Sequence, residues 1–324
     1  MARIQVAGVS AVPPSLFSTS SMIVRPRYNW LRMLFIVRGS VIKNIAPQLL
    51  IAICFAAFIT FSHGRLFQWK VTLTFVPFSL IGLTLAIFLG FRNNTSYARY
   101  WEARILWGTL LIESRVLARQ ALTLVDDPQQ APVPVYRLMA FVHALRHQLR
   151  GTSASADLAR LLPAAECERL AQARFQPAML LVMVGEWLRD MRLQGLLAPP
   201  LAQAMELPLN RLSEALGGCE RIANTPIPFT YAVIIHRTIY LYCLLLPFGL
   251  VDSIGIMTPL IVGFIAYTFF ALEALSSQIE EPFGIEPNDL ALDALSEGIE
   301  ASLRETLGER DLPAVRSPVN YVVT

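Results

Sequence analysis

Two histidines, His143 and His147, lie four residues apart, which would place both imidazoles on one face of a helix. Such a pair could form half of a metal site, because imidazole nitrogen is a common zinc ligand. No carboxylate or cysteine stands at ligand spacing beside them, and Arg146 and Arg150 flank them instead. The alternative, which the sequence favours, is a polar helix face that binds no metal.

A second group of possible ligands lies in the sequence IEEPFGIEPNDLALD at 279–293. Its carboxylates could contribute to a calcium site, since calcium takes about six to eight oxygen ligands. They are Glu280, Glu281, Glu286, Asp289 and Asp293. Acidic residues also stabilise a helix N-terminus without binding a metal, and the sequence favours this simpler role. Asn288 would then be the N-cap of the helix that follows.

Motifs of common enzyme active sites are missing from the sequence, which has no GxGxxG, P-loop, GxSxG or HExxH. The four cysteines are scattered and form no CxxC pair, which argues against a disulfide framework or a structural zinc site. The net charge of +3 is too small and too dispersed for a nucleic-acid-binding protein. We therefore expect no enzyme, no cofactor and no nucleic-acid partner.

The composition points to a membrane protein. Of the 324 residues, 54% are hydrophobic and only 16% are charged, against about 25% charged in a typical soluble domain. Four apolar stretches approach the ~20 residues that a helix needs to cross a bilayer. They are 45–62, 71–91, 227–251 and 254–272. We therefore expect four transmembrane helices in contact with the lipid bilayer.

Basic residues fix the expected topology. They precede the first apolar stretch and follow the second, and the loops between stretches one and two and between three and four hold few. The positive-inside rule then places both termini and the middle segment in the cytoplasm. The remaining sequence shows amphipathic helices and no strand pattern, so we predict an all-α protein. Its predicted parts are a cytosolic segment 1–44 (with 1–21 a flexible leader or a start-codon choice), spans 45–91, a cytosolic helical domain 92–226, spans 227–273 and a cytosolic helix and tail 274–324.

The second apolar stretch carries a stripe at helical spacing, formed by Val76, Leu80 and Thr84. This stripe would either face lipid or, if several copies surrounded an axis, form a narrow hydrophobic constriction that gates by dewetting. The next residues, Arg92 and the adjacent Asn93 and Asn94, would either be a hydrated helix end with a snorkelling arginine or line a water-filled vestibule.

Arg237 lies inside the third apolar stretch, where a charge is costly. A charged side chain at the bilayer centre costs at least about 2.5–3.5 kcal/mol. Arg237 therefore needs a position below the membrane surface or a partner. The sequence offers Glu273, near the end of the fourth stretch, as that partner.

Four segments together resemble the bacterial branch of the bestrophin family. They are MIVRPRYNW at 22–30, VPFSLIGLTLAIFLGFRNNTSYARYWEARILWG at 76–108, TPIPFTYAVIIHRTIYLYCLLLPFG at 225–249 and EEPFGIEPNDLALD at 280–293. The resemblance implies a homopentameric channel in the bacterial inner (plasma) membrane, with one axial pore for monovalent ions. The positions that match the family's hydrophobic neck are Val76, Leu80 and Thr84. The position that matches its cytosolic aperture is Ile227, which precedes Pro228.

The resemblance also bears on calcium and on ion choice. Animal members pass chloride and are opened by calcium, which binds after an Asn-Pro-Phe-Gly sequence followed by an acidic run. Here Glu281 replaces the asparagine, and Ile285 and Pro287 interrupt the run. This implies at most a degenerate clasp, made by Glu281, Glu286, Asn288 and Asp289. Bacterial members look calcium-independent and some favour sodium over chloride, so we leave the sign of the ion open.

The main alternative is a membrane-anchored scaffold or signalling protein. In that case the cytosolic helices would bind a partner protein and the stripe on the second span would face lipid. The two functions differ in a measurable way, because only a channel conducts ions.

Overall fold

The computed structural model describes Asn29, Leu31 and residues 40–66, 69–70 and 73–313. Within these residues the chain is almost entirely helical, which confirms the all-α class. Most of the predicted segment 1–44 and the end of the predicted extended tail, from residue 314, lie outside the described residues.

The first apolar stretch forms helix α1 (Ile42–Phe61). The helix ends in a turn where His63 and Gly64 adopt positive φ angles of 52° and 72°. The chain then forms a small antiparallel hairpin from β1 (Arg65–Leu66) and β2 (Trp69–Lys70). Strands of two residues are too short to produce an alternating pattern, so the sequence gives no sign of this hairpin.

Helix α2 (Phe75–Leu124) is 50 residues long. At 1.5 Å per residue it extends for about 75 Å, whereas the hydrocarbon core of a bilayer is only about 30 Å thick. The boundary that we predicted between residues 91 and 92 therefore divides one continuous helix. The same helix therefore contributes both to the apolar half of the chain and to the rest of it.

Five further helices form a helical body with the C-terminal half of α2. They are α3 (Pro132–Arg150), α4 (Ser155–Leu161), α5 (Ala164–Ala171), α6 (Gln176–Leu193) and α7 (Pro199–Asn224). Proline occupies one of the first two positions of α3, α6 and α7, where its missing N–H is not needed. The core of the helical body includes the fully buried side chains of Trp107, Leu138 and Phe141.

Helices α8 (Phe229–Ile254) and α9 (Thr258–Glu280) contact each other across a short 3-10 turn. The turn begins at Gly255, whose φ is 54° and therefore favours glycine. By length and composition, three helical stretches of the described chain could cross a membrane: Ile42–Phe61, Val76–Leu124 and Phe229–Glu280. The last of these comprises both α8 and α9, with the reversal at Gly255 between them.

The last described helix, α10 (Leu292–Thr306), packs on α2 and α3. Its N-cap is Ala291, so the prediction of Asn288 as the N-cap was wrong. The amide of Asn288 instead donates a hydrogen bond of 2.6 Å to Gln278 in α9. The helix begins later than predicted because the preceding residues form a turn.

A buried ionic network joins α10 to α3 and α4. Its centre is the carboxylate of Glu300, which accepts hydrogen bonds from Arg160 at 2.5 and 2.8 Å and from Arg304 at 2.8 Å. A ring nitrogen of His143 lies 2.7 Å from the same carboxylate. Burial acts to raise the pKa of Glu300, but the hydrogen bonds from these three side chains lower it well below its usual range.

The two histidines of the predicted polar face belong to this network. His143 is 1% exposed, so it does not lie on a solvated helix face. His143 and His147 approach Asp157 at 3.6 and 3.0 Å, and Arg146 donates to the same oxygen at 2.6 Å. A guanidinium thus occupies the position that a metal ion would need. Among the described residues, no group of three or more histidine, cysteine or acidic side chains could hold a metal.

We expect Glu300→Gln to destabilise the helical body. Removing one partner of a buried ion pair costs about 3–5 kcal/mol, and the lower end applies here because Arg160 is 44% exposed. The melting temperature of the detergent-solubilised protein, followed by tryptophan fluorescence, should fall by several degrees. The exposed Glu305→Gln on the same helix is the matched control and should leave it unchanged.

The effect of Glu300→Gln should also depend on pH. Because the folded-state pKa of Glu300 is depressed, its stabilisation is present above its unfolded pKa of about 4.3 and is lost as pH falls further. The difference in melting temperature between wild type and variant should therefore narrow below about pH 4. Equal melting temperatures at pH 7 would contradict the role of Glu300.

Candidate functional site

The predicted neck residues lie on one exposed face of α2. Val76 is 67% exposed and Leu80 is 63% exposed, and Thr84 is exposed as well. Residues four apart are offset by only about 40° around a helix, so the three form one stripe. The opposite face of α2 packs into the membrane-side core through Leu85 and Leu89. We call Val76, Leu80 and Thr84 the neck stripe.

Thr84 is less polar in this position than its residue type suggests. Its hydroxyl donates a hydrogen bond of 2.9 Å to the carbonyl of Leu80 in the same helix. With the hydroxyl bound to the backbone, the γ-methyl is the part of the side chain that is free to contact other groups. The neck stripe is therefore effectively apolar along its whole length.

The exposed face of α2 continues beyond the neck stripe. Large apolar side chains recur along it at spacings of four, seven and ten residues, and each is at least 46% exposed. They are Leu83, Ile87, Phe91, Trp101, Ile105 and Ile112. The same helical spacing continues in the sequence as far as residue 112. This face is long enough for contact with a second copy over most of the helix.

The three polar residues of the predicted vestibule do not share one environment. Asn94 is exposed and lies five helical turns from Val76, on the same side of α2. Asn93 is half-buried and donates to the carbonyl of Leu89 at 3.0 Å. Arg92 is only 4% exposed, because it lies about 160° around the helix from Val76. The prediction that Arg92 lines a vestibule is therefore wrong for the protomer.

Arg92 instead forms ion pairs inside the protomer. Its Nη2 lies 3.2 Å from a carboxylate oxygen of Glu280, and its Nη1 lies 3.9 Å from a carboxylate oxygen of Glu273. Both acidic residues belong to α9. One turn further along α2, the buried hydroxyls of Ser96 and Ser276 are 3.0 Å apart. These contacts join α2 firmly to α9.

The predicted pair between Arg237 and Glu273 does not form. Glu273 contacts Nδ1 of His236 at 2.8 Å in addition to Arg92. Arg237 is exposed, and within the described residues it forms no ion pair. Neighbouring helical residues point about 100° apart, which is why the histidine and not the arginine faces α9.

The predicted aperture residue, Ile227, lies in the short link between α7 and α8. Its side chain is half-buried, and the prolines on both sides of it are exposed. Pro228 is the N-cap of α8 and has an extended backbone conformation, with φ −53° and ψ 121°. The link thus places Ile227 at the N-terminus of α8, with the strongly exposed Phe229 directly after it.

The acidic residues of the predicted calcium clasp form no group that could hold a metal ion, within the described part of the chain. Asp289 is 1% exposed, and its Oδ2 accepts a hydrogen bond of 2.7 Å from the backbone N–H of Glu286. The Asn288 amide is bonded to Gln278, and the side chain of Glu281 is exposed. The carboxyl of Asp289 closes a turn, and these residues do not fit a calcium ion.

The electrostatics of Asp289 agree with this structural role. Burial, together with the nearby carboxylates of Glu286 and Glu281, raises the pKa of Asp289 to about 7, although the Glu286 N–H and Arg150 act to lower it. A carboxyl that is partly protonated costs less to bury than a full carboxylate.

The fold and these exposed apolar faces define an α-helical membrane protein that carries a large helical body. A family model described as bacterial/fungal bestrophin protein matches residues 22–305, and the chain belongs to this family.

Named relatives and solved structures agree with the family assignment. The chain is 49% identical over 294 residues to a voltage-dependent anion channel-forming protein of Ralstonia nicotianae, covering 90% of this chain and 96% of the relative. It is 42% identical over 293 residues to the voltage-dependent anion channel-forming protein YneE of Escherichia coli K12, covering 90% and 96%. A crystal structure of a bacterial bestrophin homologue from Klebsiella pneumoniae superposes with a TM-score of 0.80 at 40% identity, covering 82% of this chain and 99% of that one.

We expect calcium to have no effect on the stability of this protein. The melting temperature of the detergent-solubilised protein should be the same with excess calcium as with a chelator, because the acidic residues after α9 do not form a site. The Asp289→Asn variant is a useful control, since it keeps the hydrogen bond to Glu286 without the charge. A calcium-dependent rise in melting temperature that disappears in this variant would show that a clasp exists.

Proposed function

We propose that this chain is one subunit of a homopentameric ion channel in which α2 of each copy lines a single axial pore. One observation carries the proposal. From Val76 to Phe91, α2 presents an uncharged face that the rest of the protomer leaves uncovered, while the adjacent charge of Arg92 is turned inward. The names of the relatives, which describe anion channel-forming proteins, support ion conduction.

Five neck stripes around an axis would form stacked apolar rings at Val76, Leu80 and Thr84. Such rings bind no ion and hold water poorly, so they pass ions only when the neck is wide enough to stay wet. Ion sign would then be decided in the wider parts of the pore, where charged and polar groups are closer to the permeating ion. Ile227 of each copy would form a second, smaller apolar ring at the cytosolic exit.

We further propose four membrane crossings per subunit, made by α1, the N-terminal half of α2, α8 and α9. The ion pair of 3.1 Å between Lys70 and Asp252 supports this, because it brings the β1–β2 hairpin and the end of α8 together on one side of the membrane. Both chain termini and the helical body would lie on the opposite, cytoplasmic side of a bacterial inner membrane. Family membership accords with the expectation that the chain is not an enzyme.

The proposal covers monovalent ions of either sign. The names of the relatives favour anions. Arg92, which would have favoured anions in a vestibule, is buried against Glu273 and Glu280 and therefore contributes little to the pore. Asn94, the predicted vestibule residue that does lie on the exposed face, carries no charge.

The direct test is ion flux in proteoliposomes with sodium and chloride varied independently. We expect ion flux. In electrical recordings under a salt gradient, the reversal potential of the current then shows whether the permeant ion is an anion or a cation. The mass of the solubilised particle, less bound detergent, should equal five times 36.1 kDa. A pentamer without flux under any gradient would favour the scaffold function instead.

Leu80→Ala should raise the single-channel conductance, because it removes three carbon atoms per subunit from an apolar ring and makes the neck easier to wet. Ile51→Ala in α1 is the matched control, since Ile51 is 68% exposed but lies outside α2. Planar-bilayer recordings measure both. Unchanged conductance in Leu80→Ala would remove Leu80 from the constriction.

Thr84→Val should leave conductance close to that of the wild type. The hydroxyl of Thr84 is bound to the backbone of Leu80, so replacing it with a methyl group of similar size changes the lining little. Thr84→Ser keeps the hydroxyl, removes the methyl group and should raise conductance. Planar-bilayer recordings measure both conductances. If Thr84→Val changed the conductance and Thr84→Ser did not, the hydroxyl and not the methyl group would face the ions.

A further inference from the structure

The link that carries Ile227 has few bonds of its own. It contains Pro226 and Pro228, neither of which has a backbone N–H to donate. The last carbonyls of a helix have no partner within it, so the C-terminal carbonyls of α7 need donors from elsewhere. Something outside the link must hold it if Ile227 is to occupy one defined position.

Arg99 supplies these donors from α2. Its Nη2 donates to the carbonyl of Ile222 at 2.7 Å and its Nη1 donates to the carbonyl of Thr225 at 2.6 Å. Its Nε donates to the carbonyl of Glu280 at 3.1 Å. One planar guanidinium thus joins the C-terminal ends of α7 and α9 to α2. Its positive charge is also favourable there, because helix C-termini carry partial negative charge.

Arg99 acts together with Arg92. The two lie seven residues apart, so they share a side of α2, and both contact Glu280. Arg92 binds its carboxylate at 3.2 Å, and Arg99 binds its backbone carbonyl at 3.1 Å. The helix that carries the neck stripe on one side is therefore bonded on its other side to the link that carries Ile227, which is two residues beyond Thr225.

We propose that Arg99 is a positioning residue for the aperture. By holding the carbonyls of Ile222 and Thr225, it fixes the start of the link and thereby sets how far Ile227 of each subunit reaches toward the axis. The proposal rests on the proposed channel function. Arg99 does not contact the ion, and its role is carried by the geometry of three donors in one plane, which lysine cannot reproduce.

The test compares Arg99→Gln with Ile227→Ala in planar-bilayer recordings of the full-length pentamer. The measured quantity is the permeability of a large organic ion relative to that of sodium or chloride. We expect Arg99→Gln to raise this ratio about threefold, which corresponds to about 0.7 kcal/mol at 1.4 kcal/mol per tenfold. Ile227→Ala should raise it at least as much, and the double variant should not exceed Ile227→Ala alone.

Two controls separate positioning from other effects. Arg192→Gln removes an exposed arginine from α6, outside the proposed pore lining, and should leave the ratio unchanged. Arg99→Lys keeps the charge without the planar fork, and it should raise the ratio by an intermediate amount. If Arg99→Gln fails to assemble, Arg99→Lys carries the test alone. A lysine variant with the wild-type ratio would mean that charge and not geometry matters, which would overturn the proposal.

The outcomes also separate this proposal from the channel proposal. If Ile227→Ala raises the ratio but a correctly assembled Arg99→Gln does not, the positioning role is wrong and the channel remains. If Leu80→Ala and Ile227→Ala both leave currents unchanged, the proposed pore itself is wrong. Additive effects of Arg99→Gln and Ile227→Ala would show that Arg99 acts elsewhere than on the aperture.

Discussion

The buried charge of Arg92 is the constraint on which the arrangement of the membrane helices depends. A guanidinium removed from water is stable only if acidic partners surround it, and here Glu280 and Glu273 of α9 provide them. This requirement fixes the rotation of α2 about its own axis. With Arg92 facing α9, the neck stripe about 160° away must face outward. Rotating the helix to bury Val76 and Leu80 would move the Arg92 guanidinium away from both acidic partners.

The continuity of α2 extends this constraint into the helical body. The same 50-residue helix carries the neck stripe, the two arginines that bind Glu280, and the buried Trp107 at the core of the body. The helix is continuous between these sites. The rotation that the ion pairs of Arg92 impose on α2 therefore applies along the whole helix, including the part that enters the helical body.

Much of the fold could be predicted from the sequence, because its signals are local. Uncharged stretches of about 20 residues and 3.6-residue periodicity indicated the long helices. The two-residue strands and the start of α10 could not be predicted, since they depend on turns and on a hydrogen bond from Asn288 to Gln278.

The site was less predictable, because it depends on which way side chains point. Sequence spacing correctly grouped Val76, Leu80 and Thr84 on one face of α2. It could not show that Arg92 turns inward, since its partners Glu273 and Glu280 are more than 180 residues away in the chain. For the same reason, the sequence suggested Glu273 as the partner of Arg237, whereas in the structure Glu273 contacts the neighbouring His236. Arg99 served only as one of several topology-setting charges.

Close packing against α8 also holds the inner face of α2, the face opposite the neck stripe. A Cβ atom at Gly82 would approach the hydroxyl of Tyr242 to 2.8 Å, and one at Gly249 would approach the Phe78 ring to 2.8 Å. Both glycines therefore allow the helices to approach each other closely, as small residues do in membrane proteins. The inner face of α2 is held by this packing and by ion pairs. The outer face is left free of both, and an assembly of identical chains can use it to enclose a pore without breaking any contact that the protomer needs.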